Sequence, residues 1–171
     1  HNDSFPAGHP LAMGPIGYCG SKAAMYTLQK ADVVLALGSR LGPFGTLPQY
    51  DITYWPESAR LIQVDADPKV LGLSRRVDVA GCADVKAFAA HVLTALKGLK
   101  PDLQRNLHRL EELKQVRNAW AQELESWSSS DAPLMHPRRL IREWSLAMPQ
   151  GSVVATDIGN NSSICNAYLK F

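Results

Sequence analysis

The sequence predicts an α/β domain in which a parallel β-sheet is flanked by helices. Short apolar runs, of which VVLAL at Val33–Leu37 is the clearest, lack the polar alternation of a half-exposed strand. They are typical of strands that are buried on both faces of a parallel sheet. These runs alternate with stretches that have the three-to-four-residue apolar spacing of amphipathic helices. Strands and helices in that order predict βαβ winding.

The amino-terminal part of the chain begins irregularly and then becomes regular. The first twenty residues are rich in proline and glycine, which predicts turns. Ser21 is placed to cap a helix that ends near Asp32. The strand Val33–Leu37 follows directly, and we expect Gly38 to end it.

A long loop and two further strands come next. Residues 39–54 exceed the usual length of a connection in a compact domain, which indicates a functional or packed loop. We expect strands at Arg60–Val64 and at Val77–Val79, the second ending before Gly81. A helix with one apolar face is predicted over Ala83–Lys97.

The most regular pattern in the sequence is a long amphipathic helix over residues 103–127. Its apolar side chains recur at steps of three and four and form a single stripe. We interpret the stripe as a packing surface of a domain or subunit rather than as a cofactor site. Ser128–Asp131 break the helix, and after a short linker Pro137 begins another helix that ends before Pro149.

The carboxyl-terminal part predicts the start of a second domain. A strand over Ser152–Thr156 leads into a turn, and the unit stops soon afterwards. We therefore expect residues 1–131 to form a central α/β domain, and residues 132–171 to form a linker helix and the first strand and turn of another domain. Because the chain starts with His1 and ends on an apolar segment, we expect a piece of a longer protein.

Composition excludes several classes of function. The 18 basic and 16 acidic residues leave a net charge of +2 with no basic face, so we expect no nucleic-acid partner. The longest apolar run is too short to span a bilayer, so we expect no membrane partner. Cys19, Cys82 and Cys165 stand far apart, which fits small buried side chains in a reducing cytoplasm better than disulfides or a zinc site.

Ligands of open α/β sheets bind beyond the carboxyl ends of the strands, so the residues just after each strand are candidates. Gly38 permits close backbone approach, Ser39 follows it, and Arg40 could meet a phosphate. Asp65 could accept hydrogen bonds from a ribose. Together they suggest a nucleotide site, but they match neither a Rossmann fingerprint nor a P-loop, and a purely structural turn is the alternative.

The last predicted strand ends in a similar turn. Ile158, Gly159, Asn160 and Asn161 combine a glycine backbone with amide side chains, a pattern that suits a phosphate group. An ordinary strand-to-helix turn is the alternative here as well. The histidines are scattered and no catalytic triad is evident, so we assign no catalytic and no metal residue.

Four segments match one enzyme family, both in their order along the chain and in the residues they contain. GPIGYCGSKAAM, KADVVLALGSRLGPFGT, ARLIQVDADP and VAGCADVKAF resemble the central domain of thiamine-diphosphate-dependent enzymes of the acetolactate synthase and pyruvate oxidase group. HNDSFPAGHPL and TDIGNNSSICNAYLKF are similar to the branch of that group that acts on sulfoacetaldehyde. Leu41–Phe44 stands where acetolactate synthases would be expected to carry Phe-Asp-Asp-Arg, which favours the sulfoacetaldehyde branch.

The resemblance implies a three-domain enzyme, of which this chain is the central domain, of the DHS-like NAD/FAD-binding type, and the start of the diphosphate-binding domain. It implies thiamine diphosphate and Mg²⁺ as cofactors, sulfoacetaldehyde and phosphate as substrates, acetyl phosphate and sulfite as products, and a homodimer or homotetramer. The family's activating glutamate and Gly-Asp-Gly motif are expected outside this sequence, so the chain alone should be inactive. Residues 158–161 correspond to a segment near the diphosphate. Residues 38–40 with Asp65 correspond to the dinucleotide site of flavin-dependent relatives, here a vestigial nucleotide site.

Two other functions stay open at this point. One is a flavin-containing relative that resembles acetolactate synthase or an oxidase, although flavin is not the favoured cofactor. The other is a non-catalytic nucleotide-binding or interaction module that uses the apolar stripe of residues 103–127 as its partner surface.

Overall fold

The computed structural model describes residues 4–100 and 102–170. Its sheet has three parallel strands in the order β1-β2-β3: Val33–Leu37, Arg60–Asp65 and Val79–Cys82. The helices are α1 (Lys22–Gln29), α2 (Val85–Leu96), α3 (Leu103–Ser128), α4 (Pro137–Ala147) and α5 (Asn160–Tyr168). The predicted class, an α/β fold with a parallel sheet flanked by helices, is confirmed.

Helix α1 and strand β1 form where the sequence predicts them. The Ser21 hydroxyl accepts a hydrogen bond from the Ala24 N–H at 3.4 Å, which caps α1. Strand β1 pairs in parallel with β2, from Val33 opposite Arg60 to Leu37 opposite Val64. This register brings the residues that follow both strands to one edge of the sheet.

The prediction that strand β1 is buried on both faces is wrong for one face. Val33, Leu35 and Leu37 are 50%, 47% and 38% exposed, whereas Ala36 on the other face is 7% exposed and packs in a core cluster with Leu41. The reason is that α2 packs against β2. One side of β1 is therefore left without a covering helix in the described residues.

Strand β3 begins two residues later than the sequence predicts, at Val79 instead of Val77. At Asp78 the backbone N–H donates to the Leu61 carbonyl at 2.9 Å, but the Leu61 N–H donates to the Asp78 carboxylate at 2.8 Å, so a side chain takes the place of one ladder bond. The strand also continues through Gly81, which the sequence suggested as a breaker. A Cβ at this glycine would approach the β2 side chain beside it to 3.3 Å, so the residue allows close packing inside the sheet.

The long amphipathic helix is confirmed as α3. Its carboxyl-terminal half is packed, with Trp120 only 8% exposed, whereas Leu103 and Leu107 in the first half are 68% and 61% exposed. The Lys22 ammonium joins α1 to the packed half, where it pairs with Glu123 at 2.5 Å and lies 5.0 to 6.0 Å from three aromatic rings. None of the described helices has the length and apolar character needed to cross a membrane.

The predicted strand over Ser152–Thr156 is not formed. Residues 152–157 have no regular secondary structure, and the side chain of Val153 is 96% exposed. A strand needs a neighbour to complete its ladder, and the described residues place none beside this segment. Helix α5 follows the turn, as in the strand-to-helix alternative; its polar sequence NNSSICNAY has little apolar periodicity, so its length could not be predicted from the sequence.

The cysteines are less uniformly buried than expected. Cys165 in α5 is buried, but Cys19 is only half-buried and Cys82 at the end of β3 is exposed. All three are free thiols.

Candidate functional site

The first candidate corner lies at the carboxyl edge of strands β1 and β2. Leu37 pairs with Val64, so Gly38, which follows β1, lies beside Asp65, which is the last residue of β2 rather than the residue after it as the sequence predicts. Gly38 adopts a φ of 61° and donates its N–H to the Val64 carbonyl at 2.8 Å. A Cβ at Gly38 would lie 3.5 Å from Val85, the first residue of α2. The structure therefore brings the predicted nucleotide residues together beside a helix amino terminus.

Most polar groups of this corner are already satisfied within the protein. The Ser39 hydroxyl accepts the N–H of the residue two positions on at 3.3 Å, and the Ser39 carbonyl accepts from the buried Gln63 amide at 2.9 Å. Asp65 accepts the Asp67 N–H at 2.9 Å. The exposed Arg40 guanidinium has no partner within residues 4–100 and 102–170. The arginine is thus the charged group of this corner that has no partner in the described part of the chain.

The second candidate corner is the turn that begins α5. Gly159 holds a φ of 131° and a ψ of −166°, a conformation that is essentially restricted to glycine. Ile158 is 94% exposed, and its N–H is taken up by the Asp157 carboxylate at 2.7 Å. The side-chain amides of Asn160 and Asn161 are exposed, and neither has a hydrogen-bond partner in the part of the chain that the structure describes.

This second corner offers hydrogen-bond donors that an anion could use. The first N–H groups of an α-helix lack partners within the helix and carry partial positive charge, so they attract anions. The first turn of α5 contains no acidic residue. Backbone and side-chain donors on exposed residues are therefore available to an anion at this turn.

A glycine-rich loop, Pro15–Gly20, lies against the loop that follows the first corner. The Tyr18 N–H donates to the Phe44 carbonyl at 2.9 Å. A Cβ at Gly17 would lie 2.4 Å from the Phe44 oxygen and 2.5 Å from the Gly45 carbonyl carbon, so the two backbones are in direct contact. Only a residue without a side chain fits there.

The same loop also reaches the second corner through Cys19. This residue holds a φ of 61°, which is uncommon for a residue other than glycine, and its Sγ lies 2.8 Å from the Ser163 hydroxyl of α5. The Ser163 hydroxyl in turn lies 3.3 Å from the Gly159 carbonyl. Tyr50 supports the loop by donating its hydroxyl to the Gly20 carbonyl at 3.1 Å, and partial burial raises the pKa of that hydroxyl.

Sequence reasoning missed Cys19 and Ser163 because they are 144 positions apart. The segment GYCGSKAAM was noted for its family resemblance, but no local pattern shows that its cysteine meets a serine near the end of the chain. Within the described ranges, no three His, Cys, Asp or Glu side chains are grouped as a metal site. A groove of about 790 Å³ between the amino-terminal segment, α3 and the end of α5 contains none of the predicted site residues.

Known proteins match the chain over its whole length. Residues 1–96 match the family described as "Thiamine pyrophosphate enzyme, central domain". The chain is 49% identical over its whole length to a sulfoacetaldehyde acetyltransferase of Castellaniella defragrans, and the match covers 31% of that relative. A second relative of that name, from Alcaligenes xylosoxydans xylosoxydans, is 42% identical over 99% of the chain and 32% of its own length. A probable acetolactate synthase large subunit of Methanocaldococcus jannaschii is 30% identical over 92% of the chain and 26% of its own length. The chain therefore spans about a third of the length of the relatives it matches.

Proposed function

The chain belongs to the thiamine pyrophosphate enzyme family, and from this premise we propose that it is the central part of an acyltransferase that converts sulfoacetaldehyde and phosphate into acetyl phosphate and sulfite. One observation carries the proposal: identity to the sulfoacetaldehyde acetyltransferase of Castellaniella defragrans is 49% over the whole chain, against 30% to the acetolactate synthase subunit. The compared region includes both candidate corners.

Thiamine diphosphate, when bound, supplies the carbanion-stabilising chemistry that such a reaction needs. We place its diphosphate at the first turn of α5, where the amides of Asn160 and Asn161 and the free backbone N–H groups would donate to phosphate oxygens. Gly159 allows the close backbone approach, and Ile158 offers an exposed apolar contact beside it. We place the ligands of Mg²⁺ outside this chain.

The domain boundary that the sequence suggested remains part of the proposal. Residues 1–131 would form the central domain, and residues 132–171 would begin the diphosphate-binding domain. Helices α4 and α5 support this division because they pack against each other. We also propose a cytoplasmic homodimer or homotetramer. The exposed apolar side chains in the first half of α3, including Leu103 and Leu107, support a subunit contact, and the free thiols support the location.

We propose that the first corner is a vestigial nucleotide site. Its serine and aspartate already hydrogen-bond within the protein, so the fold there does not depend on a ligand. The complete protein should therefore purify without the yellow colour and near-450 nm absorbance of a flavin. Bound flavin would contradict this point and favour the relative that resembles acetolactate synthase.

The activity is tested by incubating the complete protein with sulfoacetaldehyde, phosphate, thiamine diphosphate and Mg²⁺ and measuring free sulfite. We expect sulfite release that depends on phosphate and on the cofactor, with acetyl phosphate formed in equal amount. Pyruvate in place of sulfoacetaldehyde, with acetolactate measured instead of sulfite, is the matched comparison, because pyruvate is the substrate of the acetolactate alternative. No sulfite above background would refute the proposed reaction.

A further inference from the structure

Two hydrogen bonds connect the glycine-rich loop to the turn proposed for the diphosphate. The Cys19 thiol donates to the Ser163 hydroxyl at 2.8 Å, and that hydroxyl donates to the Gly159 carbonyl at 3.3 Å. The Ser163 N–H bonds the same carbonyl, also at 3.3 Å. The glycine carbonyl is thus held from the helix side, while residues 158–161 stay exposed.

The loop that carries Cys19 is held in place by its own contacts. A φ of 61° at a non-glycine residue persists only where the surrounding structure determines it. Here the Gly20 N–H donates to the Gly17 carbonyl at 2.9 Å, and the Ser21 N–H donates to the Pro15 carbonyl at 2.7 Å. The thiol therefore presents a fixed donor to α5 rather than a mobile one.

We propose that Cys19 is a positioning residue for cofactor binding, which acts through Ser163 to keep the Gly159 turn in the conformation that receives the diphosphate. The inference rests on the proposed function, because it takes that turn as the diphosphate site. Cys19 itself touches no ligand in this account, and its thiol takes part in no covalent step. What it contributes is a donor of fixed direction, so a hydroxyl in its place should serve the same purpose.

The test is a calorimetric titration of the complete protein with thiamine diphosphate in the presence of Mg²⁺. Cys19→Ala and Ser163→Ala should each raise the Kd about 5- to 10-fold, the range expected for one lost hydrogen bond that holds a binding turn. Cys19→Ser keeps a donor and should stay within about twofold of the parent. The double Ala variant should bind no more weakly than Ser163→Ala, because both residues act in one chain of contacts.

Cys82→Ala is the matched control, since this exposed thiol lies at the end of β3 and contacts the Ala66 carbonyl at 3.7 Å, away from α5. Its Kd should equal that of the parent. Urea denaturation of each variant separates a loss of affinity from a loss of folding, and Ser163→Ala keeps the question answerable if Cys19→Ala does not fold. A Kd unchanged in both Ala variants, or a Cys19→Ser variant as weak as Cys19→Ala, would overturn the inference.

Failure of this inference is distinguishable from failure of the proposed reaction. A weakened Kd in the Ala variants without any sulfite release would support the positioning role and refute the reaction. Sulfite release together with an unchanged Kd in the Ala variants would support the reaction and refute the positioning role. A parent protein that does not bind thiamine diphosphate would refute both.

Discussion

The two corners of this protein differ in what they leave unpaired. At the carboxyl edge of β1 and β2, Ser39 and Asp65 hydrogen-bond to neighbouring backbone N–H groups, and the Ser39 carbonyl also accepts from Gln63. At the start of α5, the amides of Asn160 and Asn161 and the free N–H groups of the first turn face solvent. Since buried or partly buried polar groups must be paired, the first corner is stable without a ligand, whereas the second has donors that an anion could still pair.

The corners also differ in what supports them. The first is part of a strand ladder and is built from residues close together along β1 and β2. The second depends on the distant loop Pro15–Gly20, which reaches α5 through Cys19 and Ser163. Substitutions at Cys19 should therefore change the second corner and leave the first corner as it is.

Gly17→Ala should have the largest effect, because Gly17 joins the loop to the backbone after the first corner. The new Cβ would lie 2.4 Å from the Phe44 oxygen, and φ at this position is 80°. We expect the free energy of unfolding to fall by more than about 3 kcal/mol, as for a backbone clash that cannot relax locally. Urea denaturation measures it, with Gly45→Ala as the control, since nothing lies within 4 Å of a Cβ there. Equal stability of the two variants would contradict the packing described.

Gly159→Ala and Gly38→Ala form a pair that separates the corners. At Gly159 a side chain is strained and would approach the Asn161 amide oxygen to 3.2 Å, so the turn should change shape. We expect thiamine diphosphate to bind at least about tenfold more weakly, since strain of this kind costs about 1 to 3 kcal/mol.

Gly38→Ala should cost stability without changing cofactor affinity. Its φ of 61° disfavours a side chain, but the Cβ would make only an ordinary 3.5 Å contact with Val85. We expect a loss of about 1 kcal/mol of stability, in line with a left-handed position that loses its glycine. If Gly38→Ala weakened thiamine diphosphate binding as strongly as Gly159→Ala, the distinction between the two corners would be lost.

Ser39→Ala should have a smaller effect that is confined to the first corner. The variant leaves one backbone N–H without its acceptor, so we expect about 1 kcal/mol less stability. Calorimetry should return the parent's Kd for thiamine diphosphate. A changed Kd would show that the first corner takes part in binding the cofactor.

The smallest expected effect is a pH dependence of the support for the second corner. Burial, first among its causes, raises the pKa of Tyr50 above its ordinary value near 10, so folding favours the neutral phenol. The contribution of Tyr50 to the stability of the fold is therefore fully present below about pH 10, and it is lost as the pH rises through the raised pKa that Tyr50 has in the folded protein. The phenolate also cannot donate to Gly20. The difference in melting temperature between the parent and Tyr50→Phe should shrink above pH 10; a constant difference would contradict this role.

Local patterns in the sequence predict most of the fold. Val33–Leu37 and Arg60–Asp65 form strands because their β-branched and apolar residues suit a packed sheet, and α3 follows its apolar spacing. The start of β3 could not be read locally, because at Asp78 a side chain takes the place of one ladder bond to the neighbouring strand. Ser152–Thr156 has the composition of a strand, but a ladder needs a partner that composition does not reveal.

The candidate site was predictable in part for the same reason. Glycine and amide residues after a strand-like run pointed to residues 158–161, because their anion-binding chemistry is local. The contact of Cys19 with Ser163 arises only when the loop and α5 come together in three dimensions. Burial was misjudged along β1 because the sequence pattern records the hydrophobicity of a strand, not whether a helix covers it.

The affinity of the complete protein for thiamine diphosphate, compared between one variant of each corner, tests the division between them most directly. Asn160→Ala with Asn161→Ala removes two free donors of the second corner, and Arg40→Ala removes the free cation of the first. We predict that the asparagine variant binds thiamine diphosphate about tenfold more weakly or worse and that the arginine variant binds it like the parent. Unchanged affinity in the asparagine variant together with weakened binding in the arginine variant would contradict the account.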